Sequence, residues 1–261
     1  YLDKAENPLF FFDDDPDGLA AALTLYKKYG RGNLVPLKVA VTLDQGIYLS
    51  KIEEHSPDII FVLDRPIIMQ ETIDQIHVPI IWLDHHESIK RMGVHYYNPT
   101  ENDKNDNRCT SYWAYKVAGT PETEWIAAVG IFADWMMPDF LTTFKYKDLV
   151  EGKTSPPEVM FDSTYGKIIR AFSYVLKGET KAMKGNIEAL KKIQTPYEIL
   201  NQETPAGKLL YANYEKFNKE YSSLLTKALD QAKKEPGELF LFTYPSTKTS
   251  FTGELSNELL Y

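Results

Sequence analysis

Four short apolar runs restrict this chain to an α/β fold, because most are followed by a segment with helical spacing. Residues 8–13 (PLFFFD) lead into 18–29, where Leu19, Ala22, Leu23 and Tyr26 recur at helical intervals. The pattern repeats at 34–41 (LVPLKVAV) ahead of 45–55 and at 58–64 (DIIFVLD) ahead of 67–76, and a further run stands at 78–84 (VPIIWLD). Runs that are apolar at successive positions predict strands buried on both sides, and hence a parallel sheet with helices on both faces. Ligands of such open sheets bind beyond the carboxyl ends of the strands. Three of the runs end there in an aspartate: Asp13, Asp64 and Asp84.

Beyond this core, the polar stretch 98–108 reads as a loop, and 110–117 and 122–136 read as helices. Residues 141–200 are expected to be mostly helical, with breaks at Gly152, Pro156, Pro157 and Pro196. Residues 205–235 have the spacing of one long amphipathic helix through Leu209, Tyr211, Tyr214, Phe217, Tyr221, Leu224, Leu225 and Leu229. After Pro236-Gly237, the run 238–244 (ELFLFTY) reads as a strand that starts a second small α/β unit. The expected organisation is therefore an α/β core over 1–140, a helical extension over 141–204, a connector helix over 205–236 and the beginning of a second domain over 237–261. A chain that opens on Tyr and stops within the helix-like SNELLY is expected to be a fragment.

Composition narrows the classes. With 43% hydrophobic residues, 261 residues suffice for a large core, and the lone Cys109 forms no internal disulfide and is expected to pack. No apolar run approaches the roughly 20 residues of a membrane span, and the first residues lack a signal-peptide layout, so a soluble cytoplasmic protein is expected. A net charge of −8 argues against a generic nucleic-acid coat, yet 22 of the 37 acidic residues lie in 1–140 beside 12 of the 29 basic ones. Residues 141–200 carry 10 basic against 7 acidic residues, either as a surface for a polyanion or as solvated helix faces. Within them, the Lys-rich 167–192 with Phe172 and Tyr174 fits a backbone-tracking surface, although such aromatics more often belong to a core.

The acidic turns carry the chemistry. DDDPDG at 13–18 alternates Asp13, Asp15 and Asp17 ahead of a glycine, as an EF-hand loop does. Such a loop needs Glu at its twelfth position, which is Thr24, and a helix rather than a strand in front. Both requirements fail. Four carboxylates in five residues at a strand-to-helix junction repel one another unless a cation neutralises them. LDHHE at 83–87 adds His85 and His86, whose adjacent imidazoles point different ways; one can ligate a metal while the other faces a bound group, with Asp84 orienting them. Asp134, near the end of an apolar helix, is either a buried carboxylate with a partner or a surface group at a fraying end. His55, His77 and His95 do not stand beside the strand-end carboxylates and read as incidental, and Asp14 and Asp139 as solvent-facing. Arg65 is read as an ion-pair partner before a phosphate contact, and Thr110 and Ser111 as helix N-caps before supports of the site. Aspartate oxygens with imidazole suit two Mn²⁺ ions, or Mg²⁺, better than zinc.

The succession D-x-D-x-D-G, a strand-end Asp, D-H-H and a helix-borne Asp, spanning 13–134, resembles the motifs of the DHH phosphoesterases, and Asp13 in place of a common His resembles the RecJ-like members. The resemblance implies that Asp13, Asp15 and Asp64 hold one divalent ion, that Asp17, Asp64, His85 and Asp134 hold the other, and that His86 faces the scissile phosphate. It also implies that 237–261 opens the family's smaller substrate-binding domain, whose G-G-G-H motif is absent from this sequence. The expected function is hydrolysis of phosphodiester bonds in single-stranded or short nucleic acid. Alternatives are a phosphatase for adenosine bisphosphate or pyrophosphate, and a scaffold with a replication or repair partner protein that has lost catalysis. The complete ligand set speaks against the last.

Overall fold

A computed structural model describes residues 1–38, 44–118, 120–234, 237, 239–245 and 249–261. Five strands, β1 (Pro8–Asp13), β2 (Asn33–Leu37), β3 (Ile59–Leu63), β4 (Ile80–Leu83) and β5 (His95–Tyr97), form one sheet in the order β2-β1-β3-β4-β5, parallel throughout. The expected run at 34–41 is a strand only to Leu37; residues 39–41 lie outside the described residues. β5 was not foreseen, since HYY is too short and too exposed to leave a pattern.

The sheet is apolar on both sides because alternate residues point to opposite faces. Phe10, Phe12, Phe61, Leu63 and Ile81 join the larger core with α1 (Pro16–Tyr29), α5 (Glu124–Ala133) and the helices after residue 146. Leu9, Phe11, Val35, Leu37, Ile60, Val62, Ile80 and Trp82 pack on the opposite face against α2 (Asp44–His55) and α3 (Gln70–Ile73). The fold is thus α/β with helices on both faces. The helix expected over 67–76 is cut to the four residues of α3.

α1 begins with Pro16 and is capped by Asp15, whose side chain accepts from the Gly18 amide at 2.9 Å. Gly18 is required, because a Cβ there would lie 2.8 Å from the Asp13 backbone. α4 (Thr110–Ala118) packs beside α1 and α5. Then α6 (Lys147–Val150), α7 (Pro156–Asp162), α8 (Thr164–Val175), α9 (Thr180–Leu190) and α10 (Pro196–Leu200) lead into α11 (Pro205–Lys234), the long helix expected from the sequence, though Leu209 and Leu229 stay exposed. Phe172 and Tyr174 are buried, as core aromatics rather than a surface for a strand of nucleic acid.

The strand expected at 238–244 is corrected: residues 239–245 join no ladder, and Leu239 and Leu241 are exposed. Without a neighbouring strand to bond its amides, an apolar run has no sheet to enter. The chain continues into α12 (Thr252–Leu260), which lies against α11. Among the described residues no helix is long and apolar enough to cross a membrane.

Candidate metal centre

The strand order decides where the aspartates meet. From β1 the chain moves one way to β2, then crosses back to β3, β4 and β5, so the direction of winding reverses between β1 and β3. That reversal opens a crevice at the carboxyl ends of the strands. Asp13 ends β1, Asp64 follows β3 and Asp84 follows β4, on three neighbouring strands.

Asp64 is buried, with φ of 60° in the left-handed region, a conformation that Asp adopts more readily than most residues. Its amide donates to the Leu83 carbonyl at 2.9 Å, which ties the turn to β4 and aims the carboxylate across the crevice. Oδ1 accepts from the Thr110 hydroxyl at 3.0 Å and lies 3.4 Å from His85 Nε2. His85 Nδ1 is 3.8 Å from Asp134 Oδ2, and His85 is also bonded to the Asn107 backbone in the polar loop. Asp64, His85 and His86 each offer an atom within 4.8 Å of the others. Asp134 is the C-cap of α5, half-buried and turned to the cluster, which answers the two readings its sequence position left open.

Asp17 is buried in the first turn of α1 and accepts from the Thr110 and Ser111 amides at 2.9 and 3.0 Å. The expectation that Thr110 and Ser111 cap their own helix is therefore corrected. A carboxylate from α1 satisfies the free amides at the start of α4, which frees the Thr110 hydroxyl for Asp64. Gly130 of α5 makes this possible, for a Cβ there would come within 2.4 Å of Ser111 Oγ and 2.9 Å of Asp17 Oδ1. A glycine inside an otherwise apolar helical run was the available sequence signal, and it passed unused.

Like charges packed together leave an electrostatic mark. Burial, then Asp17, pushes the Asp15 carboxyl up to about 7, and it is close enough to share a hydrogen bond with Asp64. Burial, then Asp17 and Asp15, pushes Asp134 up to about 8, and Asp64 is driven well above the usual carboxylate range by burial and four neighbouring aspartates. Burial lowers the His85 imidazole. His86 moves the other way, because Asp84 holds its Nδ1 at 2.8 Å and also accepts from its amide at 3.2 Å. Asp84 is buried while the His86 ring is exposed, and the Asn98 side chain fixes the His86 carbonyl at 2.9 Å.

The fit to divalent cations rests on this donor set: the buried carboxylates of Asp17 and Asp64, the half-buried ones of Asp15 and Asp134, and a neutral imidazole, gathered at one crevice. Asp13, which neighbours Asp15, is held in an ion pair with Arg65. Asp14 and Asp139 are exposed, near Lys38 (3.7 Å) and Lys116 (3.0 Å). Cys109 is buried. His95 bonds Tyr1, His55 lies 3.8 Å from Glu54, and neither approaches the cluster.

No family profile and no curated protein matches the sequence. Solved structures match the fold. RecJ from Thermus thermophilus in complex with Mn²⁺ superposes with a TM-score of 0.55 at 18% identity, over 88% of this chain and 38% of that one. An exonuclease RecJ bound to manganese gives 0.54 at 18%, over 86% of this chain and 65% of that one. The DHH domain of a member of a ribosomal-protein family gives 0.62 at 15%, over 97% and 67%. The chain therefore spans 38% and 65% of the two RecJ structures. Its fold is the one seen in these RecJ and DHH-domain structures.

Proposed function

We propose that this chain, with the fold of RecJ and of DHH domains, is a metal-dependent phosphoesterase that hydrolyses phosphodiester bonds in single-stranded or short nucleic acid. The observation that carries the reading is the meeting of Asp64, His85 and His86 within 4.8 Å, ringed by Asp15, Asp17 and Asp134. Asp64, at the centre, is the residue to be shared by two ions, with Asp13 and Asp15 completing one ligand set and Asp17, His85 and Asp134 the other. Mn²⁺ is the favoured ion and Mg²⁺ the alternative, on the hardness of the oxygen donors; the RecJ structures described above carry manganese.

Two bound ions supply a water of lowered pKa and charge stabilisation on the phosphoryl oxygens. The protein supplies position. Thr110 and the α4 amides fix Asp64 and Asp17. His86, exposed at the rim with its proton held by Asp84, stabilises negative charge that develops on the attacked phosphate.

The test is Mn²⁺-dependent release of mononucleotides from a labelled single strand, run beside adenosine bisphosphate and pyrophosphate. Release from the strand is expected, with Asp64→Ala lowering the rate at least about 10³-fold and emptying the site of metal. Phosphate release from the small substrates alone would move the assignment to a phosphatase. Bound metal with no turnover on any of the three would leave a scaffold.

A further inference from the structure

A cavity of about 680 Å³ adjoins the metal centre at Asp15 and Ala133 and extends towards α8 and α12. Its lining gathers three cations from separate parts of the chain: Lys38 after β2, Arg170 in α8 and Lys177 after α8. A metal site lined by carboxylates repels a polyanion, so cations beside it are where an anionic substrate finds compensation.

Two of the three cations are met by one helix. Lys177 Nζ lies 2.7 Å from Glu254 Oε1, to which the Ser173 hydroxyl also donates at 2.7 Å. Arg170 lies 3.6 Å from Glu258 Oε2, which accepts from the Tyr221 hydroxyl at 2.5 Å. Lys38 bonds the Leu176 carbonyl and faces Asp14 at 3.7 Å. The carboxylates of α12, one helical turn apart, thus stand on the cations and hydroxyls that phosphate oxygens would use. The apolar attachment of α12 itself is two leucines, Leu255 buried and Leu259 partly buried, with Phe251 anchoring the chain just before it. Both pairs keep some contact with solvent, at 16–24% side-chain exposure, so another anion can reach the cations.

We propose that Arg170, Lys177 and Lys38 form a phosphate pocket for the nucleic-acid backbone next to the cleaved bond, and that Glu254 and Glu258 of α12 compete for it. This rests on the phosphoesterase reading. The strand displaces α12 as it binds, and its phosphates take over the Ser173 and Tyr221 hydroxyls together with the guanidinium and the ammonium groups.

Binding of a fluorescein-labelled oligothymidylate in EDTA, followed by anisotropy, tests the pocket without cleavage. Glu254→Gln with Glu258→Gln is expected to tighten binding roughly tenfold. Adding Arg170→Ala and Lys177→Ala is expected to abolish that gain and to flatten the salt dependence by about 1.4 in log–log slope, the value for two lost phosphate contacts on a single strand. In the unaltered protein, saturating oligothymidylate is expected to speed amide exchange over 252–260. Unchanged or weaker binding by the glutamine variant with its circular dichroism intact overturns the proposal, as does slowed exchange in α12. If that variant does not fold, the exchange measurement on the unaltered chain decides. Loss of Mn²⁺-dependent cleavage with these binding results intact would remove the phosphoesterase reading and leave the pocket.

Discussion

Asp64 and the two histidines show how much one position can be asked to do. Asp64 takes a left-handed backbone, sits buried among like charges and accepts from Thr110. His85 and His86 follow each other in the chain, yet Asp84 binds only His86 through a side-chain contact, while His85 reaches Asp64 and Asp134. Different partners predict different losses. His85→Ala is expected to lose about one equivalent of Mn²⁺ by equilibrium dialysis. His86→Ala is expected to keep its metal and to lower kcat by roughly 10²–10³-fold, the scale of removing one charge-stabilising donor. Equal metal loss in both variants would contradict the division of labour. Much of this was legible locally, since adjacent imidazoles behind a strand-end Asp have to diverge. The Arg65 to Asp13 pair was not, because the partner of Arg65 stands on another strand.

At the scale of elements, the site depends on how closely α1, α4 and α5 approach. Gly130 leaves room for Ser111 and Asp17, and Asp17 caps α4 from outside it. Gly130→Ala places a methyl against that contact, so overpacking of about 1–3 kcal/mol is expected. The measurement is denaturant unfolding beside Mn²⁺ affinity, both of which should fall; full stability with unchanged affinity would show that the helices give way freely. The strand and helix pattern announced β1, β3, β4, α1 and α11, whose burial repeats over many residues. It overstated α3 and the run at 239–244, because a helix of four residues or an extended run without a partner strand is decided by neighbours distant in sequence.

For the whole molecule, the crevice is a cost to the metal-free fold: carboxylates face one another away from solvent, and burial together with mutual repulsion holds Asp15 and Asp134 towards the protonated form. Ions that bind the folded chain should stabilise it by about 2.7 kcal/mol at a hundredfold excess over Kd. In a chain of this size that corresponds to a rise in Tm of roughly 5–10 °C. A thermal scan with Mn²⁺ and with EDTA checks this, and identical transitions would argue against a built metal centre. The sequence by itself determined the α/β class and the acidic turns, because apolar residues at successive positions and repulsion among close carboxylates are properties of neighbours along the chain. Only the tertiary structure decided that β3 lies beside β1, that the α4 amides hold Asp17, and that α12 rests its glutamates on Arg170 and Lys177. Those contacts join residues far apart in the chain, and their geometry exists only once the helices have packed.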